Sequence, residues 1–315
     1  MITALAASPS LDMTYVVADY RLGGIHRPES VIRVAGGKTL NAARAATRLG
    51  AEVHVIALVG GALGIAVLAG AEEEGVSVHP ISTESETRAC VSVLSLASGA
   101  LTEVYEHPAL LTTAEWTTAI EALVAALRTR PGWLLVSGGM PSSLGTDALA
   151  GVLAAAAEAG VQVALDSHGA AMAAALETAA PALLKINRAE AAEVLGLSVD
   201  SPLIELARAL HRTTRGAVVI TDGAGGAIGV DADGAAVHAS LDGHTGAFPV
   251  GSGDSFLGAL VVALDAGEPL ADGLRSATAA GTANAAGPGA AVFSRAHYEA
   301  LLPEVRLIPI GPQRG

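Results

Sequence analysis

The sequence predicts an α/β protein with a mostly parallel sheet, helices on both faces, and a small β layer built from two insertions. Three observations point there. From about residue 114 short apolar runs alternate with helix-length amphipathic stretches, the rhythm of repeated β-α units. Hydrophobic residues make up 51% of the 315 and aromatic ones only 3%, with Ala and Gly abundant, which suits close helix–sheet packing. Polar residues recur just where the predicted strands end: Asp12, Ser137, Asp166, Lys185 with Asn187, and Thr221. Open α/β sheets bind ligands along that edge.

Taken in order, residues 2–7 read as a buried strand, and Ser8-Pro9-Ser10-Leu11-Asp12 as the polar turn that ends it. Residues 15–34 are irregular, with short strands expected around Gly23-Gly24. Gly36-Gly37-Lys38 then leads into a helix at 42–49, stopped by Gly50. A strand at 53–59, a helix at 65–74 and a strand at 76–81 follow. Residues 88–96 alternate well, Ser98-Gly99 turns, and 101–106 return, which signals a hairpin. Cys90, Leu94 and Leu96 give that hairpin an apolar face, which a second copy of the layer would cover in a homodimer. Helices at 114–128 and 146–158, strands at 133–137, 162–165 and 183–187, a helix from Glu190 to near Gly196, a helix at 202–213 and a strand at 217–221 complete the rhythm.

Composition narrows the function. The net charge is −13 and no Lys/Arg run exists, so nucleic acid and anionic membrane surfaces are poor partners. Lys38 and Lys185 are the only lysines. The single cysteine, Cys90, excludes an internal disulfide and fits a reducing cytoplasm. No basic segment precedes the apolar start, and no run of about 20 apolar residues occurs, so a soluble cytoplasmic protein is expected. Gly37-Lys38-Thr39 looks like the end of a Walker A loop, but Ile32 stands where its first glycine is needed. Ser8-Pro9-Ser10-Leu11 stands where a dinucleotide-binding oxidoreductase would carry Gly-x-Gly-x-x-Gly.

The strongest chemical signal is Val250-Gly251-Ser252-Gly253-Asp254-Ser255-Phe256, followed by an apolar run that Gly267 ends. A glycine-rich loop entering a helix near Ser252 or Gly253 leaves amide N–H groups free to meet a phosphate. An Asp held there can take the proton of an attacking hydroxyl while the amides stabilise a transferring phosphoryl group. Alone, such a motif is more often a first-turn Asp capping a helix; the cleft of strand-end polar residues argues for chemistry.

These residues together resemble the ribokinase-like (PfkB) carbohydrate kinases over nearly the whole chain. Gly251-Ser252-Gly253-Asp254 is similar to the family's C-terminal Gly-Ala-Gly-Asp signature. Gly36-Gly37-Lys38 with Asn41, Ala42 and Arg44 resembles its N-terminal signature, and Lys185-Ile186-Asn187 with Glu190 its Lys-Pro-Asn-x-x-Glu segment. Ser8 to Asp12, Gly-Gly-Lys, Glu86-Thr87-Arg88 and Thr102-Glu103 are most similar to the 1-phosphofructokinase and tagatose-6-phosphate kinase branch. Ser252 for Ala, Ile186 for Pro, Gly139-Met140 for Ser-Leu, Pro108-Ala109 for Gly-Pro, Thr39 for Gly and Asp222 for an apolar residue depart from that pattern.

The resemblance implies a three-layer fold whose α/β part spans 1–12, 36–85 and 109–315, with a β-sheet lid at 13–35 and 86–108. It implies ATP-dependent phosphoryl transfer to a ketohexose phosphate: fructose 1-phosphate, tagatose 6-phosphate or fructose 6-phosphate. Asp254 is then the general base, with the amides of Gly251, Ser252 and Gly253 as its anion hole. Asp12, Gly36, Gly37, Asn41 and Ser137 bind the sugar, and Lys38 and Arg88 its phosphate. Lys185, Asn187, Glu190, Thr221, Gly223 and Gly226 face the nucleotide, with Asn187 and Glu190 near Mg²⁺ through water. ATP and Mg²⁺ are the expected cofactors, and a need for K⁺ stays open. Two alternatives remain: a kinase of an unphosphorylated sugar or nucleoside, and a non-catalytic sugar-binding regulator on the same fold.

Overall fold

The computed structural model describes residues 1–244 and 246–311. Thr245 and the last four residues of the segment 109–315 lie outside the described residues. The chain opens with β1 (Ile2–Ala6), β2 (Ser10–Val17), β3 (Ser30–Gly36), α1 (Lys38–Arg48), β4 (Val53–Val59), α2 (Gly61–Glu73) and β5 (Ser77–Ser82). It continues through β6 (Arg88–Ser95), β7 (Leu101–Tyr105), α3 (Thr113–Thr129), β8 (Trp133–Ser137), α4 (Asp147–Glu158), β9 (Gln162–Asp166), α5 (Gly169–Thr178) and β10 (Leu183–Asn187). Then come α6 (Arg188–Leu195), α7 (Leu203–Thr214), β11 (Ala217–Thr221), β12 (Ala227–Val230) and β13 (Ala236–Ser240). The last elements are α8 (Ser252–Asp265), α9 (Leu270–Ala285), α10 (Arg295–Leu301) and β14 (Arg306–Ile310).

A 10-stranded sheet runs β14-β13-β12-β11-β10-β9-β8-β1-β4-β5, parallel from β11 to β5. Strict alternation splits its side chains between two cores. Ala4, Val55 and Leu135 pack with α1, α8 and α9 on one face. Leu5, Ile56 and Leu134 pack with α3, α4 and α7 on the other. Small residues let the helices come close: a side chain on Gly258 of α8 would strike the Ala42 carbonyl of α1. That crossing brings Asp254 beside Asn41.

A second sheet, β3-β2-β6-β7, stands apart. The chain enters it sooner than the sequence suggests. Ser10, Leu11 and Asp12 are not a turn but the first residues of β2, paired with Gly36, Ala35 and Val34. Two long strands also replace the short ones expected around Gly23-Gly24, because residues 10–17 can pair with both β3 and β6. The hairpin at β6-β7 forms as the alternation predicts. Its face with Cys90 and Leu94 is covered within the single chain, so those residues do not demand a second copy; only Leu96 remains half exposed.

Helix α1 begins at Lys38, earlier than its apolar run, because Gly37 (φ 94°) turns the chain into it. The antiparallel edge β12-β13-β14 and helices α5, α9 and α10 have no counterpart in the sequence reading.

Candidate active site

Strand ends carry the site. Ser137 and Asp166 are register neighbours at the ends of β8 and β9, as are Asn187 and Thr221 at the ends of β10 and β11. Above them, α8 follows Gly251, whose φ of 79° a side chain would strain. That glycine, not Ser252 or Gly253, takes the N-cap position. Asp254 sits in the first turn, where the helix amides are unpaired and a negative charge is favoured.

Asp254 is buried, and Asn41 Nδ2 donates to its Oδ2 at 2.9 Å. Burial raises its pKa from 3.8 to about 6, against the lowering effect of Lys38 and Asn41. A carboxylate tuned to that range can accept a proton near neutral pH. Asp166, which the sequence marks only as a strand-end residue without a role, is completely buried. Lys185 Nζ donates to its Oδ2 at 2.8 Å, and Lys38 Nζ lies 3.8 Å from its Oδ1. Burial works to raise the Asp166 pKa, but the two ammonium groups outweigh it and hold the carboxyl below its ordinary range. Lys38 also lies 3.9 Å from Glu190, and these carboxylates raise its pKa, Asp166 most strongly. Lys185 reaches the anion loop as well: a side chain on Gly253 would come within 3.2 Å of its Nζ.

Lys38 and Arg88 have different neighbours. Lys38 faces Asp166, Glu190 and Asp254, whereas Arg88 lies beside Asp12 on the smaller sheet. The Arg88 Nη1 donates to Glu106 O at 3.2 Å, and its buried Nε meets no acceptor among the described residues. Asp12 accepts a 2.6 Å hydrogen bond from Ser10, and burial raises its pKa against that bond and the charges of Arg44 and Arg88. Gly36 is required there, because any side chain would overlap the Asp12 carboxylate. Ser137 Oγ is buried with no partner among the described residues. Thr39, a departure from the family pattern, bonds Leu5 O at 3.1 Å and Ser137 O at 2.7 Å, and so ties α1 to two strand ends.

Next to the anion loop a cavity of about 430 Å³ is lined by Thr221, Gly223, Gly226, Ser252, Gly253 and Phe256, among others. Its size and position at the strand ends suit a nucleotide. Asn187 and Glu190 form a capping box at the start of α6, with Asn187 Oδ1 and Glu190 Oε2 each accepting a backbone N–H at 2.9 Å. Glu190 Oε1 takes no part in the box and faces Lys38 Nζ at 3.9 Å. No group of three or more metal-ligating side chains occurs among the described residues. Asp222 is bound bidentately by Arg188, at 2.7 and 2.8 Å. That pair shields the Asp222 charge beside this cavity.

The model of the pfkB family carbohydrate kinases matches residues 8–296. The chain belongs to that family. It is a carbohydrate kinase. Crystal structures of Escherichia coli phosphofructokinase-2 superpose on it closely. The potassium complex does so with a TM-score of 0.88 at 26% identity, covering 96% of this chain and 98% of that one. The fructose-6-phosphate complex gives 0.86 at 25%, with the same coverage. A possible 1-phosphofructokinase from Thermotoga maritima shares the fold, with a TM-score of 0.84 at 17% identity over 99% of this chain and 100% of that one. Kinases of this family use ATP and Mg²⁺. No helix among the described residues is long and apolar enough to cross a membrane.

Proposed function

We propose that this kinase moves the γ-phosphoryl group of ATP to a hydroxyl of a ketohexose phosphate, with Asp254 as general base. One observation carries the reading: a buried carboxylate with a pKa of about 6 sits on a helix N-terminus, flanked by the chain's only two lysines. Asp254 takes the hydroxyl proton as the sugar oxygen bonds to the γ-phosphorus. The bond to the β-γ bridging oxygen breaks and ADP leaves. The amides of Gly251, Ser252 and Gly253 and the ammonium groups of Lys38 and Lys185 receive the charge that develops.

Asp12, Gly36, Gly37, Asn41 and Ser137 hold the sugar, and Arg88, with its free Nε, holds the phosphate it already bears. Lys38 moves from that role to the transferring group. Thr221, Gly223 and Gly226 line the nucleotide cavity. Mg²⁺ would neutralise phosphate charge, with Glu190 reaching its water shell and Asn187 shaping the turn that presents Glu190. The smaller sheet covers the sugar and keeps water from competing as acceptor. Val104 of β7 is 64% exposed, and the connection between β2 and β3 adds Leu22 at 93% and Ile25 at 91%, which support a homodimer through that layer. Leu22→Asp should then give a smaller species by sedimentation.

The test is ADP release with Mg²⁺ and ATP, using fructose 1-phosphate, tagatose 6-phosphate, fructose 6-phosphate, fructose and ribose as acceptors, in K⁺ and in Na⁺ buffers. One phosphosugar should be strongly preferred. Preference for a free sugar would leave Asp254 as base but remove the phosphate role of Arg88. ATP binding without turnover on any acceptor would favour a regulator.

A further inference from the structure

We propose that Arg44 is a positioning residue that fixes which end of the Asn41 amide faces the base, and that ties this choice to the seating of the smaller sheet. The inference rests on the assignment of Asp254 as base. Arg44 is 1% exposed, the largest side chain buried so completely. A guanidinium hidden from water needs partners, and here four of its five N–H groups find them in four different pieces of the fold. Its Nε pairs with Glu74 at the C-terminal end of α2. Its Nη1 donates to Asn41 Oδ1 at 2.9 Å and to Ala290 O at 3.0 Å. Its Nη2 donates to Ala35 O of β3.

The contact with Asn41 sets polarity. A carboxamide has one accepting end and one donating end. Arg44 has no acceptor to offer, so it takes the oxygen and leaves Nδ2 to donate to Asp254. Without Arg44 the amide is free to turn its oxygen toward the carboxylate, where two acceptors would repel. The other contacts reach the rest of the site. Ala35 precedes Gly36, which packs on Asp12. Ala290 precedes Ala291, whose positive φ of 57° is held by a 2.7 Å bond from its N–H to Asn284 Oδ1. Asn284 Nδ2 in turn donates to Val250 O at 2.8 Å, at the root of the anion loop. One planar side chain therefore touches supports of the acceptor site, the anion loop and the base. Its rigid fork does this where a lysine could serve only part of the set.

The experiment compares the parent chain with Arg44→Lys, whose single ammonium, drawn to Glu74, gives up the Asn41 oxygen. The charged groups that face Asp254 — Lys38 of α1, Asp166 of β9 and Lys185 of β10 — are all unchanged in the variant. Losing the Asn41 donor should move the acid limb of kcat/KM up by about one pH unit. It should also lower kcat by about tenfold or more, with KM for ATP unchanged. Asn41→Ala added to Arg44→Lys should add little to that shift. An acid limb that stays in place, with activity lost only in proportion to folded protein, would overturn the proposal. So would additive effects of the two substitutions. If Arg44→Lys does not fold, Glu74→Gln loosens the same guanidinium and should shift the limb in the same direction; an unmoved limb there also overturns it. Retained turnover in Asp254→Asn would instead sink the base assignment, a result separate from either.

Discussion

Lys38 and Lys185 grip opposite oxygens of a single carboxylate, Asp166, at 3.8 and 2.8 Å. In a chain of net charge −13, this puts both ammonium groups at one point, under the loop that would meet the transferring phosphoryl group. The arrangement resolves a conflict. The site needs positive charge, and a buried positive charge needs a partner. Asp166 supplies the partner without leaving the strand end.

Asp166→Asn tests this relationship. It leaves Lys185, 5% exposed, without its counter-charge. Breaking a buried pair on one side costs about 3 kcal/mol of stability or more. Urea unfolding should show that loss, and turnover should fall about a hundredfold as both lysines lose their positions. Unchanged stability would mean that water already reaches the pair.

The base gives a pH prediction. As the proposed base, Asp254 would act only when ionised, and burial places its pKa at about 6. The kcat/KM profile should therefore lose about a factor of ten per pH unit below that value. A profile flat down to pH 5 would show that another group takes the proton.

The same residue should cost stability. Its folded pKa, about 6, lies above its ordinary 3.8, so the native state holds a proton that the unfolded state has lost between these values. The contribution of Asp254 to stability therefore falls as pH rises through that window, and by neutral pH it amounts to about 3 kcal/mol against folding. Asp254→Asn, neutral and of similar shape, should be inactive yet more stable than the parent chain at pH 7.5. At pH 4 the two should converge. Urea midpoints at both values check it.

Much of this site was legible because its chemistry is local. Gly251 to Asp254 form one turn, and the strand-end residues follow from the β-α rhythm. What escaped depends on contacts far along the chain. Asp166 carries no motif of its own and gains its role only when Lys38 and Lys185 arrive from α1 and β10. Arg44 is legible as a signature residue but gains its role only when α2, β3 and the segment after α9 close around it. Ser10 to Asp12 look like a turn because the pairing partners that make them a strand lie in β3 and β6. The edge strands β12 to β14 are short, and β14 is mostly exposed, so their patterns are faint. Cys90 and Leu94 show the opposite error: alternation revealed the apolar face but not that the chain covers it.

Gly36 offers a test confined to the acceptor side. Its missing side chain leaves room for the Asp12 carboxylate. Gly36→Ala must push Asp12 or β3 aside, while the nucleotide cavity, lined by residues from 221 onward, is untouched. KM for the sugar should rise about tenfold or more, with ATP binding by calorimetry unchanged. Equal weakening of both ligands would show that β3 supports the whole site.

Arg88 decides whether the acceptor already bears a phosphate. Its charge lies near enough to Asp12 to lower that residue's pKa, and its buried Nε lacks an acceptor among the described residues. A buried guanidinium donor left unpaired is costly, so a ligand oxygen is the natural partner. A charge-assisted bond of that kind is worth about 1.5–3 kcal/mol, or roughly 10- to 100-fold in kcat/KM. Arg88→Gln should impose that loss on the preferred phosphosugar and leave turnover of free fructose, however slow, nearly unchanged. The effect should sit in KM more than in kcat, because the phosphate is bound equally in the ground and transition states. If both acceptors lose alike, Arg88 supports Asp12 and the hydroxyls, and the acceptor need carry no phosphate.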